Sequence, residues 1–98
     1  RVSGQPTSRA KKHYSLGGTK MKKITKEALK KMLSKKSGWD MLTDGVRDLL
    51  VDVVLKHVTT GKWENGNPEN IFLADGCCCV RYQNGMWWHY DLVNKTWF

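Results

Sequence analysis

The chain has no apolar run approaching the ~20 residues that a membrane-spanning helix requires, and no apolar stretch follows its basic opening residues as a secretory signal would. A soluble, cytoplasmic protein of a bacterium or an infected host cell is therefore expected, with no membrane partner. Also missing is any pair of cysteines at metal-binding spacing. Cys77, Cys78 and Cys79 are consecutive, and neighbours on a strand point to opposite faces, so they cannot close one tetrahedron around zinc. They are read as small, reduced strand residues, with no metal and no cofactor. Glu64 and Glu69 have no second carboxylate or histidine fixed near them by spacing, so no general acid and base pair is argued. An enzyme is not expected.

Acidic residues are absent from residues 1–20, which carry Arg1, Arg9, Lys11, Lys12 and Lys20, five of the eight formal positive charges. This segment lacks hydrophobic periodicity and is rich in Gly, Ser, Thr and Lys, which reads as a flexible basic leader or tail. Its codons admit a second reading. Leu16-Gly17-Gly18-Thr19-Lys20-Met21 can be encoded by a purine-rich ribosome-binding run shortly ahead of an ATG, which would make Met21 the natural start and residues 1–20 a non-native leader. Residues 21–98 are read as one small domain. A chain this short buries roughly 60% of its unfolded surface, so aromatic side chains left in solvent need a reason.

What is present, from Met21 onward, reads as two helices and then strands. Thr25 can cap a helix in which Ala28, Leu29, Met32 and Leu33 recur at helical spacing, with Ile24 and Leu29 at staple positions and Ser37-Gly38 ending the run. Lysines, Lys26 and Lys30 among them, fill much of the remaining surface. A second helix is expected from about Thr43 to Thr59, with Leu42, Val46, Leu49, Leu50, Val53, Val54 and His57 on one face and Gly61 as its C-terminal cap. His57 on that flank is read as a hydrogen-bonded core histidine. Asp and aliphatic side chains dominate this helix, so base-reading in the manner of a helix-turn-helix is rejected. Residues 61–70 read as an irregular loop, with Trp63 capping the edge of the core.

The stretch Ile71 to Phe98 reads as an antiparallel meander with reversals at Asp75-Gly76 and Asn84-Gly85. The expected fold class is α+β: two N-terminal helices packed on one face of a three- to four-stranded meander. Taking both dipeptides as two-residue loops, Leu73 faces Cys78 and Phe72 faces Cys79 in the first hairpin. In the second, Tyr82 faces Trp87, Arg81 faces Trp88, Val80 faces His89 and Cys79 faces Tyr90. Directly opposed residues share a face. Trp87 and His89 are then expected in the core, while Phe72, Arg81, Trp88 and Tyr90 point outward. His89 lies on the face opposite Cys79 in this register, so cysteine–histidine catalysis is not supported.

The segment Asn84-Gly85-Met86-Trp87-Trp88-His89-Tyr90 with Thr96-Trp97-Phe98 resembles one repeat of the choline-binding cell-wall proteins and, more distantly, the second hairpin of a WW domain. Those repeats need neighbours to complete each site, and this chain has no second copy; a WW domain has no pair of helices ahead of it. Neither resemblance extends to the whole chain.

Two functions fit the pattern. In the favoured one, the protein is a small non-enzymatic regulator or inhibitor of phage or mobile-element style, which docks on a host or cellular protein through Phe72, Arg81, Trp88 and Tyr90, residue types that dominate interface hot spots. In the other, the same face stacks single-stranded RNA or DNA while Arg9, Lys11, Lys12, Lys26 and Lys30 hold phosphates. A homodimer, or the Thr96–Phe98 segment folding over, would cover that face instead.

Overall fold

The computed structural model describes Met21 and residues 23–98. The leader expected over residues 1–20 and the cations Arg9, Lys11 and Lys12 lie outside these residues. Helix α1 spans Lys26–Ser34 and begins where Thr25, in an extended conformation, accepts a hydrogen bond from the Ala28 amide. That bond satisfies one of the amides a helix start leaves without a partner. Helix α2 spans Asp44–Thr59 and begins in the same way, with the Thr43 hydroxyl accepting from Val46. It ends at Thr60, one residue before the anticipated Gly61. The helices therefore occupy the middle of the chain rather than its N-terminus.

Between them, Trp39–Met41 form a single 3₁₀ turn. Gly38 leads into it at φ +96°, in the left-handed region that favours glycine. It also touches the sheet: a Cβ there would run into the Ile71 carbonyl oxygen, and the Ile71 amide donates to Ser37 O at 2.8 Å. The helix–helix link is thus pinned to the edge of the first strand. This contact covers part of an edge that would otherwise present free amides.

Four antiparallel strands follow in sequence order: β1 (Pro68–Ala74), β2 (Cys77–Tyr82), β3 (Trp87–Asp91) and β4 (Thr96–Trp97). Strand β1 begins three residues earlier than the sequence suggests, because Pro68 pairs with Tyr82 and the register shift between Pro68 and Asn70 absorbs Glu69. Helix α2 packs between α1 on one side and β3 and β4 on the other. Leu50, Val51, Val53, Val54 and Val58 are all buried, as a helix enclosed on several sides requires. They join Leu29, Leu33, Trp39, Ile71, Val80, Tyr82 and Tyr90 in one core.

The first hairpin has the expected register. Asp75 and Gly76 both have positive φ, +55° and +77°, and Leu73 faces Cys78 while Phe72 faces Cys79. In the second, Arg81 faces Trp87, Val80 faces Trp88, Cys79 faces His89 and Cys78 faces Tyr90, one residue away from the expected pairing. The reason lies in the loop. Gln83, Asn84 and Gly85 form a three-residue connection in which Gly85 donates to Tyr82 O at 2.9 Å and alone has positive φ, +88°. This is a type I turn closed by a left-handed glycine. A neighbouring loop grips it: Gln83 N donates to Asn67 O (3.0 Å), Asn84 N to Asn65 O (3.2 Å), Asn84 Nδ2 to Asn65 Oδ1 (2.8 Å), and Asn67 N to Gln83 Oε1 (2.9 Å). Tertiary hydrogen bonds hold the turn, and every side chain of β3 changes face as a result.

Candidate functional site: the outer face of the sheet

The slip turns Trp88 and Tyr90 inward, correcting their expected place on the outside. Tyr90 is fully buried, and its hydroxyl lies 2.8 Å from His57 Nδ1 and 2.6 Å from the Tyr82 hydroxyl. His57 is the core histidine the sequence suggested. Its ring is stacked on Trp97 (centroids 4.5 Å apart, 21° between planes) and meets the edges of Trp63 and Trp88 at 4.8 and 4.7 Å. Burial lowers its pKa to about 4, so the imidazole is neutral near pH 7 and shares a hydrogen bond with the Tyr90 hydroxyl through Nδ1. Burial likewise raises the pKa of both tyrosines, keeping them protonated donors. Trp88 packs against this core with its indole Nε1 buried and without a hydrogen-bond partner among the described residues.

Outward-facing positions go to a different set. Phe72, Trp87, His89 and Phe98 form a continuous row, with centroid separations of 5.3 Å from Phe72 to Trp87, 5.0 Å from Trp87 to His89 and 4.5 Å from His89 to Phe98. The His89 and Phe98 rings are nearly parallel, at 5°, and their backbones exchange both amide hydrogen bonds, which fixes Phe98 beside β3. Trp87 is 45% exposed and Phe98 62%. Arg81 is exposed directly opposite Trp87, and among the described residues it has no ion pair. Of the four residues first assigned to this face, Phe72 and Arg81 are there; Trp87, His89 and Phe98 are the members the sequence reading missed. The signal that could have found them is the triplet Gln83-Asn84-Gly85, which fits a three-residue loop as well as a two-residue one.

The new register also places His89 opposite Cys79, so their separation onto two faces no longer holds. Their chemistry is nevertheless uncoupled. The Cys79 thiol is fully buried, points toward the Cys77 and Ala74 carbonyls at 3.7 and 4.0 Å, and has its pKa raised chiefly by burial. His89 donates from Nε2 to the Asp75 carboxylate at 2.9 Å, and its Nδ1 lies 3.3 Å from Phe98 O. No group of three His, Cys, Asp or Glu side chains among the described residues could hold a metal ion. No helix among them is long and apolar enough to cross a membrane.

The lysines of α1 stand on the opposite side of the molecule from the aromatic row. Lys26 Nζ lies 2.8 Å from Asp52 and Lys30 Nζ 3.4 Å from Asp48, both acids belonging to α2. A depression of about 540 Å³ between the helices is lined by Lys30, Asp48, Trp39, Asp44 and Arg47 among others. There Lys30 pairs with Asp48 and Arg47 with Asp44, and the Arg47 guanidinium lies over the Trp39 ring at 5.2 Å. Comparison of the chain with protein-family models, with curated proteins and with solved structures finds no match. Functional reasoning therefore rests on the outer face itself.

Proposed function

We propose that this is a small non-enzymatic binding protein, a regulator or inhibitor of the kind carried by phages and mobile elements, which docks on a host protein through the outer face of its sheet. The observation that carries this reading is the row Phe72–Trp87–His89–Phe98 with Arg81 beside it, on the face the helices leave uncovered. A domain of this size has few large side chains to spare from its core. Aromatic rings held rigidly by cross-strand packing, with an adjacent guanidinium, lose little conformational freedom on binding and make the residue types of interface hot spots.

Single-stranded nucleic acid is the weaker alternative. Stacking needs phosphate-binding cations close to the rings. Lys26 and Lys30 instead pair with Asp52 and Asp48 in the helical layer, and Arg81 stands on the outer face with Asp75 at the far end of β2.

The test is a capture experiment from bacterial lysate with the wild type, Trp87→Ala and Lys31→Ala, alongside fluorescence titration with labelled single-stranded oligonucleotides at several salt concentrations. Loss of a specific captured protein with Trp87→Ala but not with Lys31→Ala supports docking through this face. Equal recovery from all three sinks it. Oligonucleotide binding that weakens steeply with salt would favour the alternative.

A further inference from the structure

We infer that the outer sheet face is complementary to itself, and that a second copy of this chain, laid across it end for end, covers the docking face in the free protein. This rests on the reading of that face as an interaction surface. Three rungs run across the sheet. At one end Asn70, Arg81 and Trp87 lie side by side; in the middle are Phe72, Cys79, His89 and Phe98; at the other end Ala74 pairs with Cys77. Asp91, next to the inward-facing Tyr90, and Asp75 in the adjoining turn complete that last end. One end is therefore bulky and cationic, and the other is small and anionic.

Two copies packed face to face about a two-fold axis can be related in two ways. With the axis along the strands, Arg81 would lie over Arg81, placing like charges together. With the axis along the middle rung, the strands run in opposite directions, and Arg81 and Trp87 of each copy descend onto Ala74, Cys77, Asp75 and Asp91 of the other. At the two end rungs large side chains then meet small ones and the cation meets the exposed Asp75 carboxylate, with Asp91, whose oxygens already accept from Val93 and Asn94, beside it; this is the complementarity a symmetric interface requires of a single patch. On the middle rung this axis lays Phe72, His89 and Phe98 of each copy against the same rings of the other, with Cys79 buried beneath the aromatic row.

The face is small. Four strands about 4.8 Å apart and three rungs about 7 Å apart give a footprint on the order of 300 Å², well below the ~800 Å² per partner of a stable complex. The dimer is accordingly weak, with a Kd on the order of 100 μM, and a tighter partner displaces the second copy.

Sedimentation equilibrium on the full chain from about 10 μM to about 1 mM spans that Kd. The expected result is a monomer–dimer equilibrium that Arg81→Glu and Trp87→Ala each weaken by about tenfold, while Met41→Ala, exposed on the 3₁₀ turn, leaves it unchanged. Orientation is read from a charge swap: Arg81→Glu combined with Asp75→Lys restores the association that Arg81→Glu alone weakens, because only the end-for-end arrangement sets these two ends against each other. A swap that restores nothing overturns it, as does a chain that stays monomeric at about 1 mM, or a dimer insensitive to Arg81→Glu. A monomer that still captures protein through Trp87 would remove the dimer and leave the docking reading standing; a dimer of this geometry that captures nothing would do the reverse.

Discussion

Two hairpins of this sheet carry nearly the same turn dipeptide and use it differently. Asp75-Gly76 closes the first as a two-residue loop whose backbone no other loop grips, tied to the sheet only by the Asp75 carboxylate on His89, with nothing within 4 Å of where a Gly76 side chain would begin. Asn84-Gly85 closes the second as part of a three-residue loop held by four hydrogen bonds to Asn65 and Asn67. The first register is a local property, whereas a contact 16 to 19 residues distant sets the second. One residue of difference in the second loop exchanges the two faces of β3 and thereby decides which aromatic rings are core and which are available for binding.

The largest effect should come from truncating the aromatic ring of β3 that this exchange turns inward. Tyr90→Ala removes a fully buried ring and its bonds to His57 and Tyr82, and should cost about 3–5 kcal/mol in chemical denaturation. Trp87→Ala, on the outer face, should cost under about 1 kcal/mol; the opposite order would show that β3 sits in the two-residue register. Next comes acid. His57 has a folded-state pKa of about 4 against 6.5 unfolded, so between those values the unfolded chain binds more protons. Stability is then complete above pH 6.5, falls as the pH drops toward 4 and levels off below, by about 3 kcal/mol in all. His57→Leu should remove that component of the slope, measured as unfolding free energy across the pH series.

A smaller change attacks the grip on the second turn. A Cβ at Gly66, where φ is +79°, would lie 2.6 Å from Gln83 Oε1 and 2.8 Å from its Cβ. Gly66→Ala should cost about 2 kcal/mol and raise amide exchange in the β2–β3 ladder more than in β1–β2. Gly76→Ala, with open space around it, should cost only the backbone strain, about 1 kcal/mol, and leave β2–β3 untouched. The smallest effect is expected from Asn65→Ala, which deletes the side-chain bond to Asn84 and should cost about 1 kcal/mol or less. Its signature would be a shift of Trp87 toward the core environment, read by fluorescence.

Much of the fold was legible residue by residue. Thr25 and Thr43 announced both helix starts, the apolar spacing of Leu50, Val54 and His57 marked the buried side of α2, and Asp75-Gly76 placed Cys78 against Leu73. These signals are local: a cap, a period, a two-residue turn. Half of the candidate site was not legible. Met86 to Tyr90 offers aromatic side chains on both faces, so the alternation of hydrophobic and polar residues that normally reports register is absent from β3. Nor could the helix lysines be read from their own segment, since the acids that engage Lys26 and Lys30 stand on α2.

By itself the sequence determined the two helices and one of the two hairpins, because capping, helical periodicity and a positive-φ dipeptide act over a few consecutive residues. Only the tertiary structure decided which aromatic set of β3 faces water. That choice depends on hydrogen bonds from the Asn65–Asn67 loop to the Gln83–Asn84 turn and on the burial of Tyr90 against His57, and both join residues far apart along the chain.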